Sequence, residues 1–386
     1  MSSKAAAASM FTQDEEDLRS VVKSWVARNC PPGSWDKLDQ SHSYPYELMK
    51  SIGDAGWMGI TFPEEFGGSK NDRWATACGI VTEELGRVSY SLASNYFKVA
   101  GYGETILAYG TEDQKKTWIP GLISGDVLLA LALTEPEAGS DAASVSTKAK
   151  QTGDTFVING EKIFSTCSGI ADRVLLVTRT DETSRHGGLT VFMLDPKTSG
   201  AQFREINKLG IWTNPTYNIF LDDVQIPAAD VLGTVGGGWD VVTHSLEMER
   251  YALACAYIGA AADAWSYAAD YAKKRKQFGK SISDFQVIKH RLVDMHLAID
   301  SARLATYRVG ELLNSGVPCA MEASIAKVVA SEAYMKVASD GLQILGGMGY
   351  TMDTPMQRHF RDAKLGLIGG GSSEIQRNII AKQLGL

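Results

Sequence analysis

The sequence predicts a mainly α fold with a middle β-domain. Three observations carry that prediction. Near the start, apolar residues recur at helical spacing, as in EDLRSVVKSWVARNC with Leu18, Val21, Val22, Trp25 and Val26. In the middle, short β-rich runs (TFVING, ADRVLLVTRT, GLTVFMLD and YNIFLDDVQIP) are separated by GD, NGEK, HGG and KTSG turns. Towards the end, three long amphipathic runs are broken only by short turn segments.

In chain order, residues 1–125 read as an N-terminal helical domain with loops at PPGS, PEEFGG and YGTED. Residues 126–235 read as a small antiparallel β-domain. Its strands do not alternate with long helices, which disfavours a doubly wound nucleotide-binding sheet. Residues 236–386 read as a helical bundle. One run covers 239–275 and ends at FGKSISD, a second covers 285–313, and NSGVP precedes a third over 320–345. GGMGY is then a turn, and two short helices close the chain. Long helices with short breaks pack as an antiparallel bundle.

At 386 residues the chain exceeds one typical hydrophobic core. A formal net charge of −7 argues against sequence-independent nucleic-acid binding, which needs a basic face. The five cysteines, Cys30, Cys78, Cys167, Cys255 and Cys319, form no CxxC pair. They suit a reducing compartment, and a cytoplasmic protein is expected. The six histidines make no HExxH pattern, so no metal site is expected. The N-terminal MSSKAAAASMFTQDEEDLRS lacks a long apolar segment and does not read as a signal peptide. No apolar stretch reaches the length of a membrane span, and no membrane partner is expected.

Several segments could carry chemistry. LIGGGSSEIQR, 367–377, places three glycines before a helix capped by Ser372 or Ser373. It is not a phosphate-binding Walker loop, because no Lys-Ser/Thr follows the glycines. It is either a turn or a place where backbone N–H groups approach a ligand. GGGWD, 236–240, reads as a hinge. TEPEAGSD, 134–141, could hydrogen-bond a flat heterocycle through amides and hydroxyls, or be a surface turn. On the first bundle helix, steps of three and four give Val242, Leu246, Glu249, Leu253 and Ala256. Glu249 is the carboxylate on an otherwise apolar stripe. It is either a general base whose pKa is raised by desolvation or a structural Glu paired within the bundle. Glu247 lies off that stripe, on a solvated face. RKQFGK, 275–280, is a helix-end cation cluster or a phosphate clamp through Arg275.

Together, TEPEAGSD, RKQFG, QILGGMGY with the following RDAK, and IGGGSSEIQR resemble the acyl-CoA dehydrogenases, in that family's order and over essentially the whole chain. The resemblance implies a C-terminal four-helix bundle, FAD, a homotetramer and a place in fatty acid metabolism. It implies α,β-dehydrogenation of an acyl-CoA, with electrons passing to an electron-transferring flavoprotein. It implies that Leu133, Thr134, Gly139 and Ser140 contact the flavin, Ser140 also reaching CoA, and that Phe164 and Thr166 lie beside the isoalloxazine. Arg275, Gln277 and Phe278 match contacts to the FAD of a neighbouring subunit, and Gln343 and Gly347 contacts to its ADP half. Ser372 and Glu374 match cofactor contacts after the glycine loop, and Gly371 belongs to the glycines that line the thioester site.

Many members of that family place the catalytic Glu where this chain has Gly370. A glycine cannot remove a proton. The branch that includes isovaleryl-CoA and long-chain enzymes takes its Glu from the bundle helix, just before an Arg, which here is Glu249-Arg250. The resemblance and the amphipathic stripe therefore converge on Glu249. Gly370 keeps a backbone role in polarising the thioester carbonyl. Arg250 orients Glu249 or the ligand, and Glu247 matches a position near CoA. Relatives commonly have Arg where Trp212 stands. The same fold and flavin could instead serve a carrier-protein-bound acyl or aminoacyl thioester, or an enoyl-CoA reductase. Lys98 or Tyr96, in SNYFKVAGYGE, either meets a polar acyl tail or forms a solvent-facing helix side.

Overall fold

The computed structural model describes residues 10–244 and 246–386. The N-terminal alanine run, and Ser245 inside the first bundle run, lie outside the described residues. The chain starts with helices α1 (Gln13–Asn29), α2 (Ser34–Gln40), α3 (Tyr46–Asp54), α4 (Trp74–Val88), α5 (Tyr90–Tyr109) and α6 (Glu112–Ser124). Capping boxes set two of the starts. Thr12 Oγ1 accepts from Glu15 N while Thr12 N donates to Glu15 Oε2, and Thr111 and Gln114 repeat the arrangement at α6.

The sheet follows, with strands β1 (Leu129–Ala132), β2 (Lys148–Thr152), β3 (Thr155–Thr166), β4 (Arg173–Arg179), β5 (Leu189–Leu194), β6 (Ala201–Glu205), β7 (Thr216–Pro227) and β8 (Val231–Leu232). Their order is β6-β7-β3-β2-β4-β5-β8, with β1 paired to β4. The expected antiparallel pattern holds along most of the sheet, but β1 runs parallel to β4, Leu129 opposite Arg173. The long TEPEAGSD connection and the β2–β3 hairpin lie between the two strands, and a crossover of that length permits parallel pairing.

The chain then returns to helix as α7 (Gly238–His244) and α8 (Leu246–Lys274), a two-stranded hairpin of β9 (Lys276–Gln277) and β10 (Lys280–Ser281), α9 (Gln286–Asn314), α10 (Ala320–Leu345), α11 (Met356–Gly366) and α12 (Ser373–Gln383). Helix α8 is buried on every side from Arg250 to Ala262. Alanine and glycine make that possible. A β-carbon on Gly259 would collide with the Glu83 carbonyl of α4, and one on Gly86 would stand 2.7 Å from the Ala256 carbonyl. The absence of both side chains brings α4 and α8 into close contact. The N-terminal helices and the bundle consequently share one core, which also takes in one face of the sheet; a second cluster around Phe156, Phe192 and Leu221 fills the other face.

A buried ionic junction ties α1, α4 and α9. Arg19 lies 3.2 Å from Glu83 and 2.6 Å from Glu84, Arg303 lies 2.8 Å from Glu83, and the Tyr307 hydroxyl donates to Glu83 at 2.7 Å. Burial acts to raise the Glu83 pKa, but Arg303 and Arg19 outweigh it and hold the carboxyl at about 2. Among the described residues, no helix is long and apolar enough to cross a membrane.

Candidate active site

Glu249 sits in the first turn of α8, four residues before Leu253 on the same stripe. Its side chain is half-buried, and Tyr90, Tyr102 and Tyr257 lie within electrostatic range of it. Among the described residues its carboxylate has no hydrogen-bond or ion-pair partner. Burial raises its pKa, and the cations Arg250, Lys98 and Lys327 oppose that rise. Arg250 is buried without bridging Glu249, and its Nε has no partner among the described residues. Glu247, expected on a solvated face, is instead half-buried and accepts from Cys319 N at 3.3 Å and Cys319 Sγ at 3.4 Å.

The glycine loop lies against the same helix. A β-carbon on Gly370 would stand 2.6 Å from Leu253 Cδ1, so the loop meets α8 one turn beyond Glu249. Gly370 and Gly371 have φ of 63° and 78°, a left-handed pair that glycine adopts without steric cost. The carbonyls of the loop are held down. Lys327 Nζ donates to Gly366 O and Gly371 O, both at 2.8 Å, and Gln376 Nε2 donates to Gly370 O at 3.0 Å and Gly371 O at 3.2 Å. The N–H groups of Gly370 and Gly371 have no partner among the described residues. Lys327 is completely buried, and burial lowers its pKa to about 8 against the pull of Glu249. The sequence reading missed Lys327, because a lysine within a small-residue helix looks like a surface position. Ser372 caps α12 by accepting from Ile375 N at 3.4 Å, and Glu374 is exposed beside it.

A second cluster forms on the sheet. Leu133 and Thr134 leave β1, and Thr134 O accepts from Ile163 N at 2.9 Å. Glu135 is buried. It accepts from Ser146 N and Oγ, from Thr147 N, and from Lys162 Nζ at 2.7 Å, while Lys162 also donates to Leu133 O at 3.0 Å. This pair fixes the root of the TEPEAGSD loop. Burial opposes charge on both partners: Lys162 falls to about 8, whereas Lys162 and the loop donors overcome burial and hold Glu135 at about 2. Lys162 was also missed, although a signal existed. Period two from Phe156 and Ile158 points Lys162 to the interior.

Next to Lys162 the β3–β7 register slips between Lys162 and Ser165, and Phe164 has φ of 59°. A bulge re-aims a side chain, and here it turns the Phe164 ring outward, 62% exposed. Thr166 follows on the same strand, with Thr166 Oγ1 3.4 Å from Thr216 Oγ1. Gly139 and Ser140 are exposed on the neighbouring loop, and a β-carbon on Gly139 would meet nothing within 4 Å. An outward aromatic face, the neighbouring Thr166 hydroxyl and an uncrowded backbone loop fit a flat ring system such as a flavin.

The structure does not bring all the predicted residues together. Arg275, Gln277 and Phe278 are exposed at the C-terminal end of α8, and Phe278 is 92% exposed. Arg275 comes twenty-six positions after Glu249, just past the end of α8 and about 39 Å along the helix axis. Gln343 and Gly347 are exposed at the C-terminal end of α10. Trp212 has a structural role: its ring lies 3.6 Å beneath the Arg361 guanidinium and stacks on His42 at 4.8 Å. Tyr96 is buried and donates to Trp57 O at 3.1 Å, so it does not face an acyl tail.

The architecture and its residues coincide with a known family. The patterns of the acyl-CoA dehydrogenase N-terminal, middle and C-terminal domains match residues 12–126, 130–224 and 236–385. The chain belongs to the acyl-CoA dehydrogenase family. It is 36% identical over 375 residues to an acyl-CoA dehydrogenase of Bacillus subtilis (strain 168), covering 97% of this chain and 98% of that one. It superposes on butyryl-CoA dehydrogenase from Megasphaera elsdenii with a TM-score of 0.92 at 33% identity, covering 97% of this chain and 99% of that one. A glutaryl-CoA dehydrogenase from Mycobacterium smegmatis, solved in complex with FADH2, gives a TM-score of 0.89 at 26% identity, covering 97% of this chain and 95% of that one. This acyl-CoA dehydrogenase is a flavin oxidoreductase that uses FAD and acts on the CH–CH group of acyl-CoA thioesters.

Proposed function

We propose that Glu249 is the base that removes the α-proton, with the Gly370 and Gly371 amides polarising the thioester carbonyl. The observation that carries this reading is the position of Glu249: an unpartnered carboxylate of raised pKa, one turn from the Leu253 that touches the glycine loop. FAD, when bound, supplies the acceptor for the β-hydride. The chain's own contribution is threefold. The carboxylate takes the proton, two amides lower the α-C–H pKa by hydrogen-bonding the carbonyl oxygen, and the surrounding tyrosines exclude water. Arg250, with its free Nε, suits a contact to the ligand rather than to Glu249. Ser140 lies exposed where it could reach CoA, whereas Glu247 is committed to Cys319.

On this reading Leu133, Thr134, Gly139, Ser140, Phe164 and Thr166 hold the flavin ring, and Ser372 and Glu374 meet the cofactor beyond the glycine loop. Arg275, Gln277, Phe278, Gln343 and Gly347 serve the FAD of a neighbouring subunit in a homotetramer. Their separation from Glu249 and the exposure of Phe278 support that assignment. An electron-transferring flavoprotein is the electron acceptor, and the five free thiols suit a reducing, cytoplasmic setting.

The test is anaerobic flavin bleaching over acyl-CoA chain lengths and carrier-bound thioesters. Glu249→Gln keeps its yellow colour and binds thioester but is not bleached. Bleaching at the wild-type rate by that variant refutes the assignment of the base.

A further inference from the structure

A cavity of about 170 Å³ lies between the N-terminal helices and the sheet, lined by Tyr44, Tyr46, Met58, Asn95, Lys98 and Tyr102 among others. Two of its residues tie it to the reaction centre. Tyr102 and Lys98 both lie within electrostatic range of Glu249. Lys98 is also within electrostatic range of Cys167, the residue after Thr166. The cavity therefore neighbours Glu249 through Lys98 and Tyr102 of α5.

The lining mixes apolar groups, Met58, Val99, Leu129 and Ile170 among them, with polar groups that an alkyl tail alone would leave unpaired. Lys98 is half-buried and has neither an ion pair nor a hydrogen bond among the described residues. The hydroxyls of Tyr44, Tyr46 and Tyr102 likewise make no hydrogen bond among the described residues. Asn95 Nδ2 donates to Asn214 Oδ1 at 2.9 Å, but its buried Oδ1 is without a partner. The two acids on the lining are already engaged: Asp126 is bridged to Lys50 at 2.8 Å, and Asp172 accepts from Leu128 N at 2.8 Å. A methyl terminus would strip water from the Lys98 ammonium and return nothing, a cost that buried polar groups impose whenever they are left unpaired. A carboxylate terminus would give the ammonium a charge-assisted partner and the phenols an acceptor.

We propose that Lys98 is an anion receptor at the end of the acyl pocket, and that the enzyme's substrates are thioesters whose acyl chain ends in a carboxylate. This rests on the thioester lying at Glu249. Lys98 binds the terminal carboxylate, the tyrosine hydroxyls donate to it, and the α-carbon is thereby indexed against the base at a fixed distance. Chain length is then read from two anchored ends.

The experiment compares ω-carboxyacyl-CoA thioesters of four to eight carbons with unsubstituted acyl-CoA thioesters of the same lengths. Dissociation constants come from the flavin absorbance shift and rates from anaerobic bleaching, for the wild type, Lys98→Met and Glu249→Gln. The wild type is expected to favour the carboxylated thioester at least tenfold at one or more lengths. Lys98→Met is expected to lose that preference while binding the unsubstituted thioesters as well as the wild type or better. The proposal is overturned if the wild type shows no preference at any length, or if Lys98→Met weakens both series equally. The two readings separate cleanly. Glu249→Gln keeps the binding preference set by Lys98 but abolishes bleaching; if it still bleaches, the base is elsewhere and the receptor stands.

Discussion

Leu253 fills the space that a side chain at Gly370 would occupy: a β-carbon there would stand 2.6 Å from Leu253 Cδ1. Where relatives are expected to carry the acid on the loop, this chain has packed its helix against the loop, and the proposed base, Glu249, stands one turn back. Moving the acid by Gly370→Glu with Glu249→Gly therefore meets two obstacles. One is the contact with Leu253. The other is the left-handed φ of 63° at Gly370, worth about 1–2 kcal/mol for a residue with a β-carbon. The double variant is expected to reduce flavin at under 1% of the wild-type rate, a loss of about 3 kcal/mol. Adding Leu253→Ala is expected to raise that rate at least tenfold. Stopped-flow bleaching measures both, and an unchanged rate in the triple variant would show that Leu253 is not the barrier.

Glu249 also predicts a pH dependence. Its folded pKa lies above its unfolded value, near 4.3, because burial disfavours the carboxylate. Between those two values the native state holds a proton that the unfolded state has released. Stability accordingly falls as pH rises through that window and stays lower above it. Glu249→Gln, which mimics the protonated form, should melt a few degrees above the wild type at pH 7–8, and the two curves should converge towards pH 4. Bleaching by substrate should run the opposite way, increasing with pH as the base is freed. Thermal melts and bleaching rates across pH 4–8 check the two slopes against each other.

Lys327 links these effects. Its ammonium holds the Gly366 and Gly371 carbonyls and contributes positive charge near Glu249. Lys327→Met releases both. Bleaching should slow by roughly 10–100-fold as the amides lose their fixed aim, about the scale of losing one oxyanion donor. A purely structural role would end there. Loss of the charge should in addition move the rate–pH curve upward, since Lys327 lowers the Glu249 pKa. A slower enzyme with an unmoved pH curve would limit Lys327 to loop support.

How much of this was legible beforehand follows from which signals are periodic. The helical runs were visible because their apolar spacing is local; the run predicted over 320–345 coincides with α10. Glu249 was legible for the same reason, as the one acid on an apolar stripe. Strands β2 and β6, KAKQT and AQFRE, carry polar residues on largely exposed positions and gave no such pattern. The parallel β1–β4 pair depends on a partner 44 residues away, as Leu129 opposite Arg173 illustrates. Lys98 was ambiguous for a further reason. A lysine on a helix reads as solvated, and only the tertiary packing of α5 against the sheet turns that side chain into a cavity wall.

The Glu135–Lys162 pair gives the sharpest test of the flavin site, because it touches the loop root and not the ring. Both side chains are almost fully buried, so removing one partner strands the other's charge, at a cost of about 3–5 kcal/mol. Lys162→Met leaves Glu135 with its loop donors but frees the Leu133 carbonyl, and the segment from Leu133 to Ser140 loses its anchor to β3. The expected result is a folded sheet that purifies pale, with FAD affinity at least tenfold weaker by fluorescence titration of the apoprotein. Replacing both partners, Glu135→Met with Lys162→Met, removes the stranded charge. Thermal stability should then recover most of what the single variant lost. FAD affinity should not recover, because the hydrogen bonds that Ser146 N and Thr147 N donate to Glu135 are gone as well. If stability and FAD affinity return together in the double variant, the pair shapes the core alone and does not position the cofactor loop.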